Sequence, residues 1–192
     1  MSASILKGRP VRDSQSEYTY VALPNDTNHL GNVLGGRVMH LVDICGALAA
    51  LRHARRPVVT VAIDQMSFLH PVHIGQLLVL KSSVNRVFQT SMEVGVKVWV
   101  ETPNTAEVLH TSSAYLTFVA LNENGKPMVV PPVIPETSEE KRRYDRAGRH
   151  RDYRLNSRVR TTRSDEAEQL GLLDSGNSQQ ASPSAAAQSS HG

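Results

Sequence analysis

The chain has 192 residues, enough for one ordinary core with appendages, and its 40% apolar content sits a little low only because residues 164–192 are mostly small and polar. A net charge of +3 does not mark a nucleic-acid binder, and the basic excess is local: residues 141–163 hold ten Lys/Arg against two acids, Asp145 and Asp152. One cysteine, Cys45, excludes an intrachain disulfide and a Cys-based zinc site within one protomer. No run of about eighteen uncharged apolar residues and no secretory h-region is present, so a cytoplasmic protein is expected.

In chain order, residues 1–13 read as an N-terminal extension. "SEYTYVAL" (16–23) alternates like a strand that ends at Pro24. The turn-rich "PNDTNHLGNVLGG" follows, then a helix over about 36–53 that is apolar on nearly every side and should be buried on most of them. The period then changes to two. Strands are expected over 57–69, 76–88, 90–101 and 107–121, with short connections that favour an antiparallel sheet. "NENGKP" is a turn cluster and "MVVPPVIPE" is too proline-rich for an interior strand. Thr137 and Glu140 have the spacing of a capping box, so a second, basic helix is expected from there, with disorder beyond about Arg163. The simplest packing of this order curls the sheet around the apolar helix.

Asp43 stands in the middle of that helix, where a carboxylate costs several kcal/mol unless paired or hydrogen-bonded. A structural pairing with a neighbouring subunit's arginine, or a narrow solvated seam, is one reading. The preceding loop suggests another. Gly35 and Gly36 open the helix, where unpaired N–H groups and the positive dipole end can hold a substrate carbonyl as it becomes an oxyanion. Asn28 and Asn32 add amides suited to holding a water molecule, although Asn in a glycine-rich turn is also ordinary turn chemistry. Asp43 lies about 11 to 12 Å along the helix from the glycines at ~1.5 Å per residue. If these groups act together, the carboxylate comes from a second copy, and a two-fold dimer holds two equal sites.

"PNDTNHLGNVLGGRVMHLVDICGALAALRHA", "VVTVAIDQMSFLHPVHIG" and "TSMEVGVKVWVE" resemble the hotdog-fold acyl-CoA thioesterases of the YciA and brain acyl-CoA hydrolase type, from about Tyr18 to Leu121 and on into "VPPVIPETSEEKRRY". The resemblance implies an α+β hotdog fold, a curled antiparallel sheet wrapped around one long central helix, with a charged C-terminal helix beyond it. The hotdog domain is expected over 14–126, the Pro-rich connection and basic helix over 127–163, and a disordered tail over 164–192. It implies hydrolysis of fatty acyl-CoA, with Asn28 and Asp43 as a catalytic pair from different subunits, Asn32 as a lesser second amide, no cofactor, and a dimer or trimer of dimers.

Thr60 and Arg86 are weaker candidates for contacts to coenzyme A. No metal site is expected, since His29, His40, His53, His70, His73 and His110 are scattered without ligand spacing, and Cys45 reads as a small buried hydrophobe. The basic segment reads as a solvated helix packing on the oligomer, with nucleotide contact as the second reading; neither membrane nor nucleic acid is an expected partner. Two alternatives stay open: an acyl-CoA-binding sensor that signals through its basic arm, and an acyl-CoA hydratase or dehydratase.

Overall fold

The computed structural model describes residues 6–64 and 66–169, with side chains as far as Ser157. Among the described residues there are seven strands: β1 (Arg9–Pro10), β2 (Ser16–Val21), β3 (Val58–Ile63), β4 (Leu77–Val87), β5 (Ser91–Thr102), β6 (Glu107–Ala120) and β7 (Val133–Ile134). Two α-helices join them, α1 (Gly35–Ala54) and α2 (Ser138–Gln169). The chain divides into a main unit ending at Arg151 and a second unit from Asp152, which in the described residues is the rest of α2. Helix α2 thus continues past Arg163, where disorder was expected; residues 170–192 lie outside the described part.

Five strands form one antiparallel sheet in the order β2-β4-β5-β6-β3. The period-two segments form it because each presents one apolar row to the helix: Leu78, Leu80 and Val84 on β4, Met92 through Val100 at alternate positions on β5, and Ala114, Leu116 and Phe118 on β6 are all buried. The sheet curls around α1, as a hotdog fold requires. Strand β3 is shorter than expected and ends at Ile63.

Helix α1 buries one face only. Val38, Leu41, Val42, Cys45, Gly46, Ala49, Ala50 and His53 recur at helical spacing against the sheet. At Gly46 an added Cβ would sit 3.2 Å from the Phe118 ring, so glycine is what lets the helix approach this closely. The opposite face, with Met39 and Leu51 each 41% exposed, is left open by the chain itself. The apolar circumference is therefore not buried within one protomer. Beside it runs β3, an edge strand on which Val59, Val61 and Ile63 are exposed.

Two segments set apart by sequence are woven into the fold. Arg9–Pro10 pairs in parallel with Val133–Ile134, Val11 is buried in the core, and the Ser14 hydroxyl accepts the Val84 N–H at 3.0 Å. A two-residue ladder made by prolines and a glycine-flanked turn carries no periodicity to read. The expected capping box is present: Thr137 Oγ1 accepts the Glu140 N–H, and Glu140 Oε2 accepts the N–H groups of Thr137 and Glu136. The first part of α2 packs on the outer face of its own protomer's sheet through Tyr144, the fully buried Ala147 and His150, while Lys141, Arg142, Asp145, Arg146 and Arg149 remain exposed. Among the described residues no helix is long and apolar enough to cross a membrane.

Candidate active site

The loop between β2 and α1 is held by a carboxylate that sequence reading passed over. Asp26 is buried, and its Oδ2 accepts the Tyr20 hydroxyl at 2.8 Å and the Leu23 N–H at 2.9 Å. Arg37, in the first turn of α1, places Nε 2.9 Å from Oδ1, an ion pair whose N–H is not aligned for a hydrogen bond, and donates Nη2 to the Tyr20 oxygen at 2.8 Å. Burial alone would raise the Asp26 carboxyl; the Leu23 N–H, the Tyr20 hydroxyl and Arg37 together outweigh it and hold it below the usual carboxylate range. The group ties strand, loop and helix start together, and the Asp26 carbonyl also accepts the Leu34 N–H.

Within this loop Asn28 is half-buried and its amide is oriented. Its Oδ1 accepts the N–H groups of Leu30 at 2.9 Å and Asn32 at 3.2 Å. Both bonds require oxygen at that position, so the amide can turn only its Nδ2 donor toward a ligand. With Oδ1 occupied by two backbone donors, Nδ2 is the part of the Asn28 amide left to meet a water or a substrate oxygen. Asn32 Oδ1 is buried without a hydrogen-bond partner, and the backbone of Asn32 bridges to His73.

Gly35 and Gly36 are the first two residues of α1, as expected, with helical rather than positive φ. Space around Gly36 is open, and the Phe68 ring lies at contact distance beside Gly35. As the first residues of α1, their N–H groups have no carbonyl one turn earlier within the helix to bond and lie at its positive end.

Two turns further on, Asp43 lies on the open face of α1, half-buried rather than enclosed. Thr60 donates its hydroxyl to Asp43 Oδ1 at 2.7 Å. Thr60 comes immediately before a bulge in β3, where the register against β6 shifts, and such a bulge re-aims side chains. The hydroxyl of Thr60, expected as a contact to coenzyme A, is thus spent on the Asp43 carboxylate in this chain. Asp43 Oδ2 has no hydrogen bond among the described residues. Asn28 and Asp43 make no bond to each other within the chain.

Arg86, the other residue considered for coenzyme A, is occupied by α2. Its guanidinium lies 4.4 Å from the Tyr144 ring centre and reaches the Tyr144 carbonyl, and an added Cβ on Gly148 would strike it. Cys45 behaves as expected. Burial pushes its thiol up, against a smaller opposing effect of the Ser82 hydroxyl at 3.3 Å, so it stays protonated.

The Thioesterase superfamily model matches residues 30–107, a span that runs from the loop through α1 to the start of β6. An uncharacterized acyl-CoA thioester hydrolase of Bacillus subtilis, YkhA, is 41% identical over 129 residues, 67% of this chain and 75% of that protein. The chain belongs to the acyl-CoA thioester hydrolases of the thioesterase superfamily. Among solved structures, an acyl-CoA hydrolase from Staphylococcus aureus in complex with butyryl coenzyme A and coenzyme A is similar to this thioesterase with a TM-score of 0.76 and 33% identity, over 82% of this chain and 96% of that one. A hexameric acyl-CoA thioesterase is similar with a TM-score of 0.77 and 40% identity, over 79% and 97%. The hotdog fold expected from the sequence is the fold of this family.

Proposed function

We propose that this thioesterase hydrolyses fatty acyl-CoA to a carboxylic acid and free coenzyme A at sites shared between two protomers. The observation that carries the reading is the placement of Asp43. Its carboxylate is fixed by Thr60 on an edge strand, has one oxygen available, and stands on a helix face that this chain leaves open, while Asn28 sits in a different element and is not bonded to it. A second copy meeting the first along β3 and the open face of α1 brings the partner's carboxylate toward the loop of the first. The solved variants of the Staphylococcus aureus hydrolase replace one aspartate, one asparagine and one threonine by alanine, the same three residue types.

The chemistry follows from the oriented donors. The thioester oxygen receives the N–H groups at the start of α1 and Asn28 Nδ2, which stabilise the negative charge that develops on it. Water adds to the carbonyl carbon as the Asp43 carboxylate takes its proton, the C–S bond breaks, and the proton returns to the sulfur leaving group. Direct attack by Asp43, giving a mixed anhydride that water then opens, uses the same positions. Cytoplasmic residence suits a protein whose one cysteine is buried and reduced. The open face and edge strand fit a homodimer, and the hexameric relative suggests that three dimers assemble further.

The test is thiol release from acyl-CoA esters of increasing chain length, for wild type, Asn28→Ala and Asp43→Ala separately, and for the two inactive variants mixed after dissociation and reassembly. Sharing predicts that each variant alone is nearly inactive and that the mixture regains about a quarter of wild-type activity, since half the random dimers are hybrid and each hybrid holds one intact site. No recovery on mixing would remove the shared site. Binding of acyl-CoA by wild type without any thiol release would leave the acyl-CoA sensor in its place.

A further inference from the structure

The outer face of the sheet carries polar side chains that the hydrolytic site does not use. Glu93 on β5 alternates with Met92 and Val94 and points away from α1, and it is fully buried because α2 covers it. A carboxylate out of water requires compensation. Around it the structure gathers His150 of α2, whose Nδ1 lies 3.3 and 3.2 Å from the two Glu93 oxygens, and the Asn85 amide, whose Nδ2 is 3.4 Å away. Asp64, just past the end of β3, adds a second carboxylate. One ligand-type atom each from Asp64, Glu93 and His150 lie within 4.8 Å of one another.

Two further acceptors are buried here without a hydrogen-bond partner, Asn85 Oδ1 on a side chain 3% exposed and Thr117 Oγ1 on one 8% exposed. Thr117 is the cross-strand neighbour of Glu93 on one side and of Ala62 on the other, so it stands between the two carboxylates on the same face. Gly95 leaves the room that Asn85 fills, an added Cβ there coming within 2.9 Å of its amide. Orphaned oxygens of this kind, beside paired carboxylates, point to a cation.

The spacing agrees. Charge-assisted N–H···O bonds close to about 2.7–2.9 Å, and the His150 to Glu93 distances are longer. Two ligands of one cation with bonds of about 2.0–2.1 Å sit roughly 3.0–3.4 Å apart, as His150 Nδ1 and the Glu93 oxygens do, while the Asp64 carboxylate lies within 4.8 Å of both and would close on the ion.

We propose that Asp64, Glu93 and His150 form a binding site for one divalent transition-metal ion, with the orphaned Asn85 oxygen beside it. Two carboxylates and an imidazole suit Zn²⁺ or Mn²⁺ better than Mg²⁺, which prefers oxygen ligands alone. The ion joins β5, the segment after β3 and α2, and so fastens α2 to the sheet. Nothing in the sequence spacing of His150 to Glu93 or Asp64 reveals that they meet.

The experiment uses the full-length protein in its native oligomeric form, stripped with a chelator and titrated with ZnCl₂, MnCl₂ and, for comparison, MgCl₂, by calorimetry and thermal unfolding. One Zn²⁺ or Mn²⁺ per chain is expected, with a rise in unfolding temperature and weaker binding of Mg²⁺. His150→Gln and Glu93→Gln should each weaken binding by about tenfold or more without changing oligomer size. If Glu93→Gln does not fold, His150→Gln decides alone, since its ring is partly exposed on α2. Absence of a stoichiometric ion in wild type at millimolar metal, or affinity unchanged in His150→Gln, overturns the proposal and leaves a hydrogen-bonded ion pair only.

Discussion

Removing the Asp26 carboxylate should loosen the loop that carries Asn28 at a cost that can be worked out bond by bond. Asp26→Ala deletes two buried hydrogen bonds to a charged acceptor, from the Tyr20 hydroxyl and the Leu23 N–H, each worth about 1.5 kcal/mol. It also deletes the Arg37 pair, which contributes under about 1 kcal/mol because Arg37 is 32% exposed. The sum is about 3 to 4 kcal/mol, or roughly 6 to 15 °C in Tm for a chain of this size. Urea unfolding at fixed protomer concentration measures it. Tyr20→Phe should cost about 1 kcal/mol, and the double variant less than the sum, since both remove the same bond. The pH dependence has a definite sign. The folded carboxyl sits below its unfolded value, so its contribution is present at neutral pH and is lost as pH falls below about 3.9 through the folded value. The gap between wild type and Asp26→Asn should close over that range. A loss below about 1 kcal/mol, or a gap that does not narrow in acid, would refute this account of the loop.

Thr60→Val should lower kcat by about 10- to 100-fold with little change in KM, because one hydrogen bond to the Asp43 carboxylate is lost and no substrate contact is removed; steady-state thiol release separates the two constants. His53 is buried with Nε2 donating to the Pro131 carbonyl at 2.8 Å and Nδ1 without a partner, and burial pushes its pKa down against that bond. The unfolded state therefore takes up a proton near pH 6.5 that the folded state refuses, and urea midpoints should decline as pH falls below about that value. Ala106 occupies the left-handed region at φ 54° in the β5–β6 turn, so Ala106→Gly should raise stability by about 1 kcal/mol in the same assay.

The three long strands β4, β5 and β6 were legible because Val, Leu and Thr alternate over stretches longer than any turn could interrupt, and the capping box at Thr137 and Glu140 was legible because its spacing is local. Asn28, Gly35, Gly36 and Asp43 could be picked out as polar or glycine residues in an apolar setting. What was not legible depends on which elements meet. Nothing local in the sequence says that α2 is laid over Glu93 or that Tyr144 stacks on Arg86. Thr60 is one hydroxyl in a strand, and only the fold puts it 2.7 Å from Asp43. The Asn28 amide could be assigned as a donor only after its oxygen was seen to accept two backbone N–H groups.

The exposed edge of β3 and the open face of α1 carry a consequence for how the enzyme responds to its own abundance. If each site needs parts from two chains, a lone protomer is not a weak enzyme but an inactive one. Below the dissociation constant of the dimer, the rate should therefore rise with the square of protein concentration and become linear only above it. The same dilution uncovers an unpaired strand edge with Val59, Val61 and Ile63 on it, which invites pairing with any other extended chain. If the dimer forms along β3, loss of turnover and exposure of this edge share one concentration threshold, which places both risks in a cell that makes too little of the protein.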